Sequence, residues 1–183
     1  MRIIAGQYKG KRLNVPEGGD IRPTSERARE SLFNILEHGL EADVLRDERV
    51  LDLCCGTGAL GLEALSRGAV HATFVDNNQQ AVGLTKKNIA ALGAQSKSDV
   101  VLANAVQLPA AKAPVALVLT DPPYHANLFA PMVESMKHSG WLRKGTILSM
   151  EQDKRNAMPE IAGLSLVKDR TYGKTRLCLF EVD

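Results

Sequence analysis

The chain has 183 residues, of which 44% are apolar and 24% charged, the balance of an ordinary soluble domain and not of a disordered segment. That length suits one domain with a full core and a small appendage, and the longest apolar run, Ala113–Leu119, is far short of the roughly 20 residues a membrane-spanning helix needs. The net charge is only +2, but it is front-loaded: residues 1–30 hold seven bases against four acids, leaving the rest of the chain at −1.

In chain order, the first twenty residues alternate short β-prone pieces with turn formers: Ile3-Ile4, Gly6, Tyr8 to Lys11, Leu13, Val15-Pro16 and Gly18-Gly19. This reads as a small hairpin or curled ribbon. Only Ile3-Ile4-Ala5 follow Arg2 before the chain turns polar, so no secretory signal is expected and the cytoplasm is the expected compartment. Thr24 or Ser25 is placed to cap a helix whose apolar positions, Ala28, Leu32, Phe33, Ile35 and Leu36, run at helical spacing to Gly39. Arg22 just before this helix and Arg29 on its polar face are expected to meet ligand or water. Residues 1–39 therefore form a basic ribbon-and-helix extension, and 40–183 a separate domain.

From Arg49 onward, apolar runs alternate with helical stretches. The strand candidates are Val50–Leu53, Ala72–Asp76, Val100–Leu102, Val115–Thr120 and Thr146–Met150, and the helix candidates are Leu60–Ser66, Gln79–Leu92, Asn127–Lys137 and Asn156–Ile161. This alternation implies βαβ crossovers and a mainly parallel sheet buried on both faces. Two last strands, Leu164–Lys168 and Arg176–Glu181, have only a Tyr172-Gly173-Lys174 turn between them and are expected to form an antiparallel hairpin at the sheet's end. The three cysteines include the neighbours Cys54 and Cys55 and form no CxxC pair, which supports neither a disulfide framework nor a metal site. His71, His125 and His138 read as ordinary helix-end or surface residues.

The first chemical motif is Gly56-Thr57-Gly58-Ala59-Leu60-Gly61, directly after a strand and opening a helix. It lies at a strand's carboxyl end, where open α/β sheets bind ligands, and Asp76, twenty residues after Gly56, is placed to take a ribose hydroxyl pair. Taken alone this fits a dinucleotide, but Asp52 ends the first strand four residues before Gly56. Pyrophosphate wants bare backbone N–H groups without a carboxylate nearby. S-adenosylmethionine has no phosphate and carries an ammonium and a sulfonium, so the loop suits the methyl donor better. Asn104-Ala105, after the third strand, offer a side-chain acceptor and a backbone donor for an adenine amine, although an Asn in a strand-end turn is ordinary.

The second motif is Asp121-Pro122-Pro123-Tyr124, after the fourth strand and so on the same rim. Two prolines fix φ near −65° and make a stiff, extended loop whose carbonyls point in set directions. The Asp121 carboxylate and the Pro122 carbonyl can accept both N–H groups of an exocyclic amine, favouring a more pyramidal and more nucleophilic nitrogen. Tyr124 offers a flat face on which an extruded base can stack.

These residues resemble the class I S-adenosylmethionine-dependent methyltransferases that act on exocyclic amines through a D/N-P-P-Y/F loop. The resemblance narrows further on Arg2-Ile3-Ile4-Ala5-Gly6, Lys9-Gly10, Arg22-Pro23-Thr24, Arg27, Arg29-Glu30, Leu32-Phe33-Asn34, Val50–Leu53, Gly61–Ala69, Asp121–Tyr124 and Tyr172-Gly173. Over nearly the whole chain these are similar to the RsmD family of bacterial 16S rRNA guanine-N2 methyltransferases. The resemblance implies a Rossmann-like α/β fold with a seven-stranded, mainly parallel sheet, its last two strands the C-terminal hairpin, and an N-terminal ribbon that helps to hold RNA. It implies S-adenosylmethionine as methyl donor, with no metal, and as partner the 16S rRNA within an assembling small ribosomal subunit, with no membrane and no obligate protein partner. Asp52, Gly56 and Gly58 carry over as the methionine-side loop, with Thr57 between them. Asp76 and the adjoining Asn77 carry over on the ribose side, Asn104 and Ala105 at the adenine, and Asp121, Pro122, Pro123 and Tyr124 as the catalytic loop, Asp121 also facing the donor. Arg2, Lys9, Lys11, Arg12 and Arg22 are the candidate phosphate contacts. Cys54-Cys55 and Asn104 depart from the family's usual residues, which implies altered donor affinity without loss of function.

Two other functions compete. The same loop serves adenine N6 in DNA or a glutamine amide in protein, but beyond about forty N-terminal residues the chain has no module for target recognition. A binding module without activity is opposed by the intact Asp52, Gly56, Asp76 and Asp121–Tyr124.

Overall fold

The computed structural model describes residues 1–16, 26–121 and 128–183. Among them the alternating apolar runs become seven strands: β1 (Arg49–Leu53), β2 (His71–Asp76), β3 (Ser98–Leu102), β4 (Leu117–Thr120), β5 (Ile147–Asp153), β6 (Leu164–Tyr172) and β7 (Thr175–Val182). Four helices intervene, α1 (Glu26–His38), α2 (Ala59–Ser66), α3 (Gln79–Leu92) and α4 (Phe129–His138). The sheet order is β3-β2-β1-β4-β5-β7-β6. The first five strands pair in parallel, while β7 is antiparallel to both β5 and β6. The fold is the Rossmann-like class I methyltransferase arrangement.

Strand alternation divides the core. Val50, Phe74, Leu117 and Leu119 point to one face, where they pack with α1, α2 and α3 through Leu32, Phe33, Leu62, Leu65 and Ile89. Leu51, Leu53, Val75, Val118 and Leu148 point to the other, against Met132, Val133 and Met136 of α4 and Trp141. Helix α2 is buried along its whole length, so it lies between the sheet and the N-terminal ribbon and not on the surface.

Among the described residues the ribbon closes on an antiparallel bridge, Arg2 with Arg12, around a turn in which the Gly10 amide donates to the Ile3 carbonyl at 2.9 Å. It docks on α2: the amides of Ile4 and Ala5 donate to the Glu63 carboxylate at 2.8 and 3.0 Å, and the Gln7 amide to the Ser66 carbonyl at 2.8 Å. Gly6, at φ +79°, allows this approach, because a Cβ there would sit 1.8 Å from the Ser66 carbonyl oxygen. Ile3 and Leu13 join the same core as α1 and α2.

The expected helix at 156–161 does not form; these residues are irregular. Pro159 disfavours helical backbone at Met158, and Met158 and Ile161 instead pack against the α4-side core. Conversely, β5 and β6 run further than the apolar pattern indicates, because antiparallel pairing with β7 extends over polar residues such as Gln152 and Asp169. No helix among the described residues is long and apolar enough to cross a membrane.

Candidate active site

Strand order reverses between β1 and β4: β1 continues to β2 and β3 on one side, and β4 leads to β5 on the other. The crevice outside the carboxyl ends at such a switch is where open α/β sheets bind ligands. The register fills it with acid. Leu53 of β1 lies opposite both Val75 of β2 and Thr120 of β4, so the next residues, Cys54, Asp76 and Asp121, stand side by side. Asp52 lies two residues deeper. Around them is a cavity of about 870 Å³ whose lining includes Asp52, Cys54, Gly56, Thr57, Asp76 and Asp121, within the usual range for small-molecule sites.

The loop after β1 is wound tightly. Cys54 adopts a left-handed φ of +61°, the kind of strained backbone that clusters at functional sites. Gly56 and Gly58 follow with φ of +54° and +77°. The Cys55 amide donates to the Val75 carbonyl at 3.1 Å and the Gly58 amide to the Cys55 carbonyl at 2.7 Å. A Cβ on Gly58 would press on Thr85 of α3, and one on Gly61 would come within 2.4 Å of the Phe74 ring, so Gly58 lets the loop close on α3 and Gly61 lets α2 pack closely on β2. Helix α3 holds the loop from below: the Thr85 hydroxyl donates to the Gly56 carbonyl at 2.9 Å, and Asn88 Nδ2 donates to the Thr57 carbonyl at 2.9 Å.

Asp52 is 1% exposed, and its Oδ2 accepts from the Gly61 amide at 2.8 Å. It therefore steadies the first turn of α2 as well as lining the cavity. Burial raises its carboxyl well above the ordinary range, and the like charges of Asp121 and Asp76 push the same way. The Cys54 thiol is pushed up to about 12 by burial and by the three carboxylates, so it stays protonated and is no nucleophile. Asp76 is fixed by two backbone donors, the Gly56 amide on Oδ2 and the Asn78 amide on Oδ1, both at 2.9 Å. Asn78 in turn caps α3, accepting from the amides of Gln80 and Ala81.

Asp52, Gly56, Thr57, Asp76 and Asp121 thus converge, while Gly58, Asn77, Asn104 and Ala105 are not in the described lining. Gly58 is turned toward α3, and Asn77 is exposed beside Asn78, which lines the cavity in its place. Asn104, two residues past β3 and exposed, closes its own turn by accepting from the Val106 amide at 3.1 Å; Ala105 packs on the α4-side core. Lys9, Lys11 and Arg12 are exposed on the ribbon, and Arg2, also exposed, pairs with Glu26 at 3.3 Å. Arg22, Pro122, Pro123, Tyr124 and His125 lie outside the described residues. His71 is neither a helix end nor a fully exposed residue: it opens β2, with Nε2 3.4 Å from Asp99 Oδ2.

Sequence reasoning missed Asn78, Thr85 and Asn88, and left Arg29 between ligand and water. Arg29 does not face water: it is 1% exposed and lines the cavity. Thr85 and Asn88 carried a signal, polar residues on the buried face of α3 between Val82 and Ile89. Asn88 also binds the ribbon, accepting from the Asn14 amide at 2.7 Å and donating to its carbonyl at 3.0 Å. The ribbon's second limb, Asn14 to Pro16, is thereby a wall of the cavity.

The family model described as conserved hypothetical protein 95 matches residues 1–181. The chain belongs to this family, the RsmD family. It is 36% identical to Ribosomal RNA small subunit methyltransferase D of Escherichia coli (strain K12) over 183 residues, covering 99% of this chain and 89% of that protein. The protein of the same name from Haemophilus influenzae is 31% identical over 186 residues, with 99% and 93% covered. The solved structure of yhhF from Escherichia coli superposes with a TM-score of 0.85 at 34% identity, over 100% of this chain and 98% of that one. As an RsmD-family protein the chain is a methyltransferase, and such enzymes imply S-adenosylmethionine as donor.

Proposed function

We propose that the protein transfers a methyl group from S-adenosylmethionine to the exocyclic N2 amine of a guanine in small-subunit ribosomal RNA, presented by an assembling subunit in the cytoplasm. The observation that carries the donor is the concentration of carboxylates at the switch point: buried Asp52 has Asp76 and Asp121 as charged neighbours, all lining one cavity. Such a site repels a pyrophosphate and suits a ligand carrying an ammonium and a sulfonium. The names of the relatives supply the RNA.

The donor, when bound, supplies an electrophilic methyl carbon. The chain's own part is placement. Asp52 faces the ammonium, and Asp76, held by two backbone donors, keeps its remaining lone pairs for ribose hydroxyls. Asp121, beside Asp76 at the end of β4, accepts from the guanine amine together with the Pro122 carbonyl, and Tyr124 stacks on the base; these last two roles come from the sequence. Holding nitrogen, methyl carbon and sulfur in line would provide most of the acceleration, and the amine proton leaves to Asp121 or water. Residues 1–39 hold RNA phosphates through Arg2, Lys9, Lys11, Arg12 and Arg22.

The deciding experiment is transfer of labelled methyl to small subunits from a strain lacking this protein, followed by nucleoside analysis. Labelled N2-methylguanosine is expected, and Asp121→Ala is expected to lower turnover at least about 100-fold, the loss typical of one strong positioning contact, with the fold intact. Label on duplex DNA or protein in place of the subunits would overturn the RNA assignment.

A further inference from the structure

Arg29 belongs to α1, outside the strand ends that form the rest of the site, yet its buried side chain lines the same cavity. Its guanidinium is under-used. Nη2 donates to the Arg2 carbonyl, while Nε lies 3.7 Å from Glu63 Oε2, within ion-pair range but beyond hydrogen-bond reach, and has no hydrogen-bond partner among the described residues. Glu63 has little left to give: Oε1 accepts from the Ala5 amide at 3.0 Å and Arg67 Nε at 2.8 Å, and Oε2 from the Ile4 amide at 2.8 Å. A guanidinium carries five donors in a planar fork, so a buried one whose Nε makes no hydrogen bond among the described residues suits a planar anion, above all a carboxylate.

The cavity's other charges select among anions. A phosphate would meet Asp52, Asp76 and Asp121, whereas an amino acid end-group presents its carboxylate and ammonium together and can offer one to each wall. Lys87 also lines the cavity but is exposed on α3, where solvent screens its charge. We propose that Arg29 receives the α-carboxylate of the methyl donor, so that the N-terminal helix completes the donor site. The inference rests on the methyl-donor reading of the cavity, and it makes the complete amino acid end of the donor a specificity element.

Calorimetric titration with S-adenosylmethionine and with decarboxylated S-adenosylmethionine tests this, because the second compound keeps the ammonium and sulfonium and lacks only the carboxylate. The wild-type protein is expected to bind the decarboxylated compound at least about tenfold more weakly, as befits loss of charge-assisted hydrogen bonds. Arg29→Gln is expected to lose about the same factor for S-adenosylmethionine and to bind the decarboxylated compound as the wild type does, with Arg29→Lys in between. Equal binding of the two compounds by the wild type overturns the inference, and needs no variant to fold. So does an equal loss for both compounds in Arg29→Gln, which would mark Arg29 as a support for the ribbon alone. Failure of the wild type to bind either compound would instead overturn the donor reading itself.

Discussion

Asp52 joins two demands in one side chain: it caps the first turn of α2 through the Gly61 amide, and it faces a cavity with Asp76 and Asp121 nearby. The cost appears as a pH dependence whose sign is fixed by the raised carboxyl. In the unfolded chain Asp52 ionises near pH 4, whereas in the fold it holds its proton to higher pH. Between those two points the native state binds more protons than the unfolded one, so stability falls as pH rises through the window. Asp52→Asn keeps an oxygen for the Gly61 amide and removes the titration. In thermal melts of the ligand-free protein it is expected to match the wild type near pH 4 and to exceed it at neutral pH, by about 2–4 °C for each kcal/mol of relief in a domain of this size. The same variant is expected to bind S-adenosylmethionine more weakly, since it removes the carboxylate that the proposed function sets against the ammonium. A variant that melts below the wild type at neutral pH would show that the ionised carboxylate stabilises the ligand-free fold.

At the scale of elements, the ribbon, α1 and α2 form one tethered unit whose knot is Glu63. This carboxylate is fully buried, accepts from two ribbon amides and Arg67, and lies beside Arg29. Arg67 continues the chain of charges to Glu37 at 2.7 Å and stacks over the Phe33 ring at 5.0 Å. Removing one member of such a buried set leaves the others uncompensated, at a cost of about 3–5 kcal/mol. Glu63→Ala is expected to lose that much in urea denaturation, and hydrogen exchange should show the Ile4 and Ala5 amides opening. Unchanged protection of those two amides would refute the tether. None of this knot was legible beforehand: a Glu inside Leu62-Glu63-Ala64 reads as the wet side of a helix, and only the ribbon docking on α2 turns that side inward. The strands and α3 were legible because a sheet buried on both faces needs continuous apolar runs. The helix expected at 156–161 fails at Pro159, which disfavours helical backbone in the residue before it. The carboxylates of the site could be found from strand ends alone, but Thr85 and Asn88 could be found only by asking why a buried helix face carries polar groups.

For the whole molecule, the decisive feature is the separation of charge. The switch-point cavity is acidic, while the exposed ribbon carries Lys9, Lys11 and Arg12 beyond the Arg2–Glu26 pair. The two regions adjoin, because Asn14, Val15 and Pro16 of the ribbon line the cavity. On the proposed function a polyanion is expected to be attracted to the rim and repelled from the carboxylates of the cavity. Phosphate contacts release counterions, so binding to small subunits should weaken with salt, each contact contributing about 0.7–0.9 to the slope of log K against log salt. Replacing Lys9, Lys11 and Arg12 together by Gln is expected to flatten that slope by about 2. Because their charged ends are exposed and they form none of the described cavity lining, calorimetry on the same variant should give an unchanged affinity for S-adenosylmethionine. A slope that stays as steep as the wild type's would place the RNA-holding surface elsewhere on the molecule, and the short ribbon would then serve only as the wall that Asn88 fastens to the glycine loop.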